Sequence, residues 1–105
     1  MSGIALVYVL FGDRESAQAC AQAMVAQRLA ACANLLNDCT SIYPWEGQIA
    51  QAQEVPVLFK TAPAGRAALM AALEALHGYD VPAILSWPAE ATADYAAWVA
   101  RETQG

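Results

Sequence analysis

The sequence predicts an α+β fold whose elements follow the order β-α-β-β-α-β, with one further helix at the C-terminus. Short apolar runs rich in β-branched and aromatic residues alternate with segments whose apolar residues recur at helical spacing. The second and third strands follow each other directly, with Glu46-Gly47 as turn residues between them, so they form an antiparallel hairpin. Because no linker or repeat interrupts the chain, we expect residues 1–105 to form one domain.

The first half of the chain predicts a buried strand, a helix and a long bent strand. Residues 4–11 are almost continuously apolar, which is typical of a central strand. Asp13 caps a helix over residues 14–29. Residues 32–49 are β-prone and form one long strand that bends at Asn37-Asp38. The buried stripe of the helix is predicted to contain Ala17, Cys20, Ala21, Met24, Val25 and Leu29.

The second half begins with the return strand of the hairpin. This strand covers residues 54–61, and Pro56 lacks an N–H, so we place it at an edge, at a bulge or at the beginning of the strand. Pro63 opens a second helix that ends at Gly78. The inner face of this helix is predicted to contain Leu69, Met70, Leu73 and Leu76.

Two elements complete the chain. Residues 83–87 form the fourth strand, and Thr92 caps a last helix. The inward side chains of that helix are predicted to be Tyr95, Trp98 and Val99. This order of elements is that of a ferredoxin-like sandwich, in which helices pack on one face of an antiparallel sheet.

The hairpin is longer than such a sandwich needs. At about 3.3 Å per residue, residues 39–49 reach about 36 Å, comparable with the whole diameter implied by a radius of gyration of about 13 Å. The hairpin is therefore expected to protrude. A protruding edge rich in Ile, Tyr and Trp aggregates unless another strand covers it, so we expect pairing between subunits.

Composition also favours a subunit interface. The chain is 58% hydrophobic and 14% charged, whereas ordinary soluble domains have about 25% charged residues. A chain of this size buries only about two-thirds of its unfolded surface, which leaves apolar surface uncovered. The apolar runs are far shorter than the roughly 20 residues of a membrane-spanning helix, so we expect no membrane partner.

The net charge and the cysteine content limit the possible partners and the cellular compartment of the protein. A net charge of −5 with no basic stripe excludes nucleic acid as a predicted partner. The N-terminus has no pattern of a secretory signal, so a cytoplasmic location is expected. Cys20, Cys32 and Cys39 cannot all pair within one chain and contain no C-x-x-C spacing, so we expect reduced thiols. Cys20 lies on the helical stripe and is interpreted as a small buried hydrophobe.

Two sets of short motifs resemble a known family. The first half contains Leu29-Ala30-Ala31-Cys32-Ala33-Asn34, Thr40-Ser41-Ile42-Tyr43-x-Trp45-Glu46-Gly47-x-Ile49, Glu54-Val55 and Lys60-Thr61. The second half contains His77-x-Tyr79-x-x-Pro82, Pro88 and Tyr95-x-x-Trp98. In this order, over residues 4–101, the motifs closely resemble the CutA family. The resemblance implies a ferredoxin-like homotrimer held together by its long strands, with a role in copper and other divalent-metal tolerance and no settled catalytic activity.

The chain departs from the family pattern in places that bear on copper. Pro44 replaces a residue that is usually polar or basic, and Gly78 stands where Pro or Ser often follows the His. Family members with proposed copper ligands use a thiol late in strand one and two adjacent histidines, where this chain has apolar residues and Leu76-His77. The resemblance therefore implies that one of three ligands is kept and that copper binds more weakly here.

His77 and Cys32 are the candidate metal ligands. His77 is the only histidine, so any imidazole ligand or general base at neutral pH is this residue. It coordinates a metal if folding or trimerisation collects Cys32, Glu54 or Asp80 around it. The alternative is a structural His77 in the last turn of the second helix, bonded to a carbonyl of that turn. Cys32 likewise has a packing interpretation beside its ligand or redox interpretation.

A second set of candidates resembles the intersubunit pocket of the family. Aromatic side chains would line this cleft and charged side chains would be its polar members. The set consists of Tyr43, Trp45, Glu46, Glu54, Lys60, Tyr79, Tyr95 and Trp98. The alternative is that the aromatic residues form an interface core and the charged residues its rim, with Lys60 paired to Glu46 or Glu54 across the hairpin.

These observations favour a metal-tolerance protein over an enzyme. A dyad of Cys32 and His77 would lack an oxyanion-hole motif and a Gly-rich phosphate loop, so we expect no catalytic activity. We expect a cytoplasmic homotrimer in copper or other divalent-metal homeostasis, with no obligatory cofactor and with Cu(II) or another divalent metal as a weak ligand. The alternative is a scaffold or a small-molecule-sensing trimer similar to PII-type signalling proteins, without direct metal chemistry.

Overall fold

A computed structural model describes residues 2–103 and contains, within them, five strands and three α-helices. The elements are β1 Ser2–Phe11, α1 Arg14–Ala26, β2 Cys32–Leu35, β3 Cys39–Trp45, β4 Gln48–Thr61, α2 Arg66–Leu76, β5 Ile84–Ala91 and α3 Ala93–Glu102, with a 3-10 turn over Pro63–Gly65 before α2. All strand pairs are antiparallel, in the order β2-β4-β1-β5, and β3 pairs with β4. The predicted α+β class is confirmed. None of the helices in this part of the chain is long and apolar enough to cross a membrane.

Strand β1 separates two apolar layers because successive side chains of a strand point to opposite faces. Val7, Val9 and Phe11 are buried on the face that α1 and α2 cover. The alternate residue Ile4 packs with Val99 of α3 on the other face. Each fully buried side chain of this size contributes about 1.5–3 kcal/mol relative to an exposed one, so the layer with α1 and α2 carries most of the core.

The face under α3 is only partly covered. Its remaining apolar side chains come from β1, β4 and β5 and follow the strand register, with Tyr8 opposite both Leu58 and Leu85. Leu85 is 49% exposed and Trp87 is 40% exposed. We call this surface the open sheet face, and it consists of Leu6, Tyr8, Leu10, Leu58, Leu85 and Trp87.

The predicted long second strand is two strands joined by a bulge. Leu35 pairs with Val57 and Cys39 pairs with Glu54, so the three residues 36–38 face the two residues 55–56. The bend predicted at Asn37-Asp38 is therefore confirmed. Of the positions predicted for Pro56, the bulge is the observed one, and its carbonyl oxygen accepts the Leu36 N–H at 2.9 Å.

The distal part of the hairpin projects from the sheet. Residues 39–45 of β3 pair with residues 48–54 of β4, and neither segment pairs with another described strand. Glu46 (φ 50°) and Gly47 (φ 80°) form the tight turn between them, as the primed hairpin turns require. The described chain measures 46 × 25 × 22 Å, so it is elongated, as a projecting hairpin requires.

Helix α1 ends earlier than predicted. It stops at Ala26 instead of residue 29, because Arg28 takes the left-handed conformation with φ 61°. The Leu29 N–H then bonds the Met24 carbonyl, and the Arg28 N–H bonds the Val25 carbonyl, each at 3.0 Å, which is the Schellman pattern. Glycine usually occupies this position, so the sequence contains no stop signal here.

Other predicted boundaries and faces also need correction. β4 begins at residue 48 instead of 54, β5 extends to residue 91 instead of 87, and α2 ends before Gly78.

Val25 is 40% exposed because it lies at the margin of the α1 stripe, beside a groove toward β2. Leu76 is 57% exposed, since His77 instead turns toward β1 and packs on Phe11. Thr92 occupies the N-cap position of α3 without a side-chain hydrogen bond.

Candidate functional site

The predicted site residues lie in three separate groups in one chain. We call the first the His77 cluster, which joins His77, Tyr79 and Glu54. The Cys32 cluster joins Cys32, Lys60, Tyr95 and Trp98. The hairpin end carries Tyr43, Trp45 and Glu46.

Both ring nitrogens of His77 are engaged by main-chain groups. Nε2 lies 2.6 Å from the carbonyl oxygen of Leu10, and Nδ1 accepts the N–H of Tyr79 at 3.1 Å. Since a carbonyl can only accept, Nε2 carries the hydrogen, and the ring is held in one neutral tautomer. The ring stacks on Phe11 with centroids 4.9 Å apart and contacts the Tyr79 ring at 4.7 Å. The structural role predicted for His77 needs correction in its partner, because His77 follows α2 and bonds the Leu10 carbonyl of β1 instead of a carbonyl in the last helical turn.

Tyr79 continues this chain of contacts to a buried carboxylate. Its hydroxyl donates to Glu54 Oε2 at 3.2 Å, and Glu54 is only 8% exposed. Burial, followed by the nearby Glu54 carboxylate, raises the pKa of the Tyr79 hydroxyl above its ordinary value. Tyr43 and Asp13 raise the same pKa through their charges. The His77 cluster is thus a hydrogen-bonded unit next to acidic groups.

The hydroxyl of Tyr79 also lies against Gly12. A Cβ added at Gly12 would meet Tyr79 Oη at 2.9 Å and the Tyr79 ring at 3.4 Å. Glycine therefore allows the close approach that seats Tyr79 on Glu54. Sequence reasoning placed Gly12 only at the end of the first strand, because its contact comes from a residue that is distant along the chain.

The residues do not fit a metal centre within one chain. Among residues 2–103, no group of three or more His, Cys, Asp or Glu side chains is close enough to hold a metal ion. Cys32 lies opposite Lys60, which lies opposite Leu6, whereas His77 bonds Leu10. Four strand residues separate those two positions by about 13 Å. One chain therefore does not bring Cys32 and His77 together, and Asp80 lies in an exposed loop.

The Cys32 cluster surrounds the Tyr95 side chain. Cys32 Sγ lies 3.6 Å from that hydroxyl, the Tyr95 and Trp98 rings stack at 5.7 Å, and Lys60 Nζ lies 5.8 Å from the Tyr95 ring centroid. Burial, followed by Cys32, raises the pKa of Tyr95 from 10.0 to about 12. The ammonium of Lys60 over the ring is a cation–π contact.

The ion pairs predicted across the hairpin are not observed. Within residues 2–103, the salt bridge is between Arg14 and Asp38, at 2.8 Å, and Lys60 faces Tyr95 instead of Glu46 or Glu54. The register explains this difference, because Lys60 pairs with Cys32 in the body of the sheet, whereas Glu54 lies at the base of the projecting hairpin.

The hairpin end stands apart from the Cys32 cluster, whereas its residue Tyr43 is near enough to the His77 cluster to raise the pKa of Tyr79. Trp45 is 62% exposed and Tyr43 is 37% exposed, on the segment 39–45 of β3, which in the described part of the chain pairs only with residues 48–54 of β4. The eight predicted cleft residues thus do not enclose one pocket in a single chain.

Comparisons with known proteins place this geometry in a family. The family model described as CutA1 divalent ion tolerance protein matches residues 5–102. A divalent-cation tolerance protein CutA from Thermus thermophilus is 37% identical over 99 residues, covering 93% of this chain and 96% of that protein. The crystal structure of divalent ion tolerance protein CutA1 from Ehrlichia chaffeensis superposes with a TM-score of 0.93 at 30% identity, covering 99% of this chain and 98% of that chain.

An archaeal structure extends the comparison to another compartment. The protein described as the periplasmic divalent cation tolerance protein CutA from Archaeoglobus fulgidus superposes with a TM-score of 0.91 at 25% identity, covering 96% of this chain and 99% of that chain. Family model, sequence relatives and solved structures agree over nearly the whole chain. The chain belongs to the CutA1 divalent ion tolerance family.

Proposed function

We propose that this chain acts in divalent cation tolerance, with copper as the metal, as a cytoplasmic homotrimer that has no catalytic activity. Membership of the CutA1 family gives the role in divalent cation tolerance. The observation that supports assembly is the open sheet face. The order of the whole sheet, β2-β4-β1-β5, supports the ferredoxin-like architecture of this proposal.

The open sheet face has the character of an obligate interface. Leu85 and Trp87 are 49% and 40% exposed in one chain, and their register neighbours on β1 are also apolar. Large contiguous apolar patches mark interaction sites, and homo-oligomer interfaces are richer in apolar and aromatic residues than ordinary surface. A neighbouring copy of this chain is a suitable partner, and the resemblance to the family implies three copies, which repeated contacts in a closed ring provide.

The hairpin supports the same proposal independently. Ile42, Trp45 and Ile49 are 65%, 62% and 74% exposed along strands β3 and β4. The outer edge of β3 is free of strand partners within the described chain. Such an edge needs a covering strand, and a neighbouring copy supplies one while it also brings the hairpin end to the other cleft residues.

In the proposed function the divalent metal is cargo, and the protein needs no obligatory cofactor. Cu(II) lies at the top of the divalent affinity order and favours imidazole nitrogen. His77 is the only imidazole, and its nitrogen without hydrogen, Nδ1, already accepts the Tyr79 N–H, so a metal there competes with this hydrogen bond and binds weakly. The same observation favours a second candidate function, a scaffold or small-molecule-sensing trimer without direct metal chemistry.

The proposed compartment rests on the cysteines. All three are free thiols in the structure, which suits a reducing cytoplasm. Cell fractionation tests this location, and recovery in a periplasmic or membrane fraction would contradict it.

Complementation tests the link between assembly and tolerance. In a copper-sensitive strain that lacks its own gene of this family, the wild-type chain should restore growth on Cu(II). Leu85→Glu places a charge on the open sheet face and should abolish the rescue. Ala75→Glu makes the same charge change at an exposed position of α2 and should rescue normally. Equal rescue by both variants would overturn the proposal that the assembled state is the active one.

A further inference from the structure

Glu54 lies at the junction between the body of the sheet and the projecting hairpin. Along β4 in chain order, Glu54 is the last residue that pairs with β3, opposite Cys39, and Val55 is the first that pairs with β1, opposite Phe11. From this point outward, β4 has only β3 beside it in the described chain. A contact on Glu54 therefore acts where the direction of the hairpin is set.

The two sides of this junction are held by different elements. On the β3 side, the Arg14 guanidinium donates to the Leu36 carbonyl at 2.9 Å and to Asp38 at 2.8 Å, which fixes the bulge. On the β1 side, the Tyr79 hydroxyl bonds Glu54. Tyr79 belongs to residues 77–83, a segment without regular secondary structure, so another contact must hold it in place.

His77 supplies that contact. Its Nε2 donates to Leu10, and its Nδ1 accepts the N–H of Tyr79, so the ring connects β1 to the segment that carries Tyr79. Stacking on Phe11 and contact with the Tyr79 ring restrict the ring further. A metal binds a ring nitrogen without hydrogen, and in this tautomer that nitrogen is Nδ1, whose lone pair already accepts the Tyr79 N–H.

We propose that His77 positions the projecting hairpin, through Tyr79 and Glu54, and that it does so in place of ligating a divalent metal. The contacts lie within one chain, so this inference stands without the proposed trimer. Its consequence for function does rest on that proposal, because the hairpin direction decides how a neighbouring copy is met. His77 is thus a positioning residue for assembly.

Hydrogen exchange of the hairpin tests the inference. Tyr79→Phe keeps the ring and removes only the bond to Glu54, so the amides of residues 48–54 should exchange about fivefold faster, which corresponds to about 1 kcal/mol. His77→Ala should have a similar effect. His77→Gln retains an amide donor for Leu10 and should restore most of the protection. Tyr95→Phe removes a hydroxyl from the Cys32 cluster and should leave hairpin exchange unchanged.

The metal part of the inference has its own measurement. In the wild-type protein, the ring nitrogens of His77 should show the nitrogen-15 chemical shifts of the Nε2–H tautomer, and Cu(II) should leave those signals in place. Loss of the His77 signals at low Cu(II) would overturn the inference, as would hairpin exchange that is unchanged in both Tyr79→Phe and His77→Ala. If His77→Ala fails to fold, Tyr79→Phe and the wild-type spectrum decide. The mass of the wild-type particle is measured separately, so failure of the trimer and failure of the His77 contact are distinguishable.

Discussion

The Arg28 guanidinium donates through Nε to the main-chain carbonyl of Glu102 at 3.0 Å, which ties the C-terminal end of α1 to that of α3. A second guanidinium nitrogen donates to the carbonyl of Arg101. These carbonyls belong to the last turn of α3, where intrahelical partners are missing and a cation is favoured. Arg28 itself adopts the left-handed backbone conformation that ends α1. One side chain therefore fixes the ends of two helices.

Two substitutions at Arg28 separate these roles. Arg28→Ala loses the capping bonds and keeps the left-handed strain, so we expect a loss of about 1–2 kcal/mol in the free energy of unfolding. Arg28→Gly loses the same bonds and removes the strain, so its loss should be smaller by about 1 kcal/mol. Urea denaturation of both variants measures the difference. An Arg28→Gly protein less stable than Arg28→Ala would contradict the role of the backbone conformation.

Gly12 and Tyr79 should be energetically coupled. Gly12→Ala places a methyl group 2.9 Å from Tyr79 Oη and displaces the hydroxyl from Glu54. We therefore expect the free energy of unfolding to fall by about 1–2 kcal/mol. In a Tyr79→Phe background the hydroxyl oxygen nearest to the added methyl group is absent. The destabilisation caused by Gly12→Ala should then be smaller by about 1 kcal/mol. Denaturation of the wild type, both single variants and the double variant completes the cycle. Strictly additive losses would show that the close contact is without consequence.

Alkaline pH should destabilise the chain through Tyr95. Burial and Cys32 raise its folded-state pKa from 10.0 to about 12. The folded chain holds the hydroxyl proton more tightly than the unfolded chain, so this stabilisation is complete below pH 10 and is lost as pH rises through 12. Tyr95→Phe should therefore flatten the fall in unfolding free energy between these values. Urea denaturation across this pH range measures the slope, and an identical slope in the variant would remove Tyr95 as its source.

The three thiols should react at different rates. Cys20 packs against the main core, and burial raises the pKa of its thiol, so less thiolate is present at neutral pH. We expect Cys20 to be labelled more slowly than Cys32 and Cys39 in the native protein. Mass mapping after timed alkylation gives the order, and labelling in denaturant supplies the control in which all three react alike. Cys20 reacting first would mean that α1 presents a different face to the core.

Local sequence patterns predicted the body of the fold because its signals are short-range. The apolar run of β1 and the helical stripe around Met24 and Leu69 describe side chains that are now buried. The predicted end of α1 was wrong because Arg28, in place of a glycine, adopts a left-handed conformation. Hydrogen bonds from the Arg28 side chain to α3 stabilise that conformation. The exposure of Val25 could not be read from spacing alone, since it lies at the margin of the stripe.

The candidate site was only partly predictable for a similar reason. His77 was a candidate because it is the only histidine, and the family resemblance identified Tyr79 and Glu54, but the partner of His77 is a main-chain carbonyl 67 residues away. Backbone groups carry no sequence signature. The grouping of Lys60 with Tyr95 depends on strand register and on the packing of α3, which a pattern of residue types does not specify.

The mass of the particle in solution tests the central claim most directly. Size exclusion coupled to light scattering at micromolar concentration should give three times the chain mass of 11.1 kDa for the wild type. Leu85→Glu should give a smaller particle, because a charge on the open sheet face cannot be buried against an apolar partner. A wild-type mass of 11.1 kDa would contradict the account, since the open sheet face and the edge of the hairpin would then remain exposed to water.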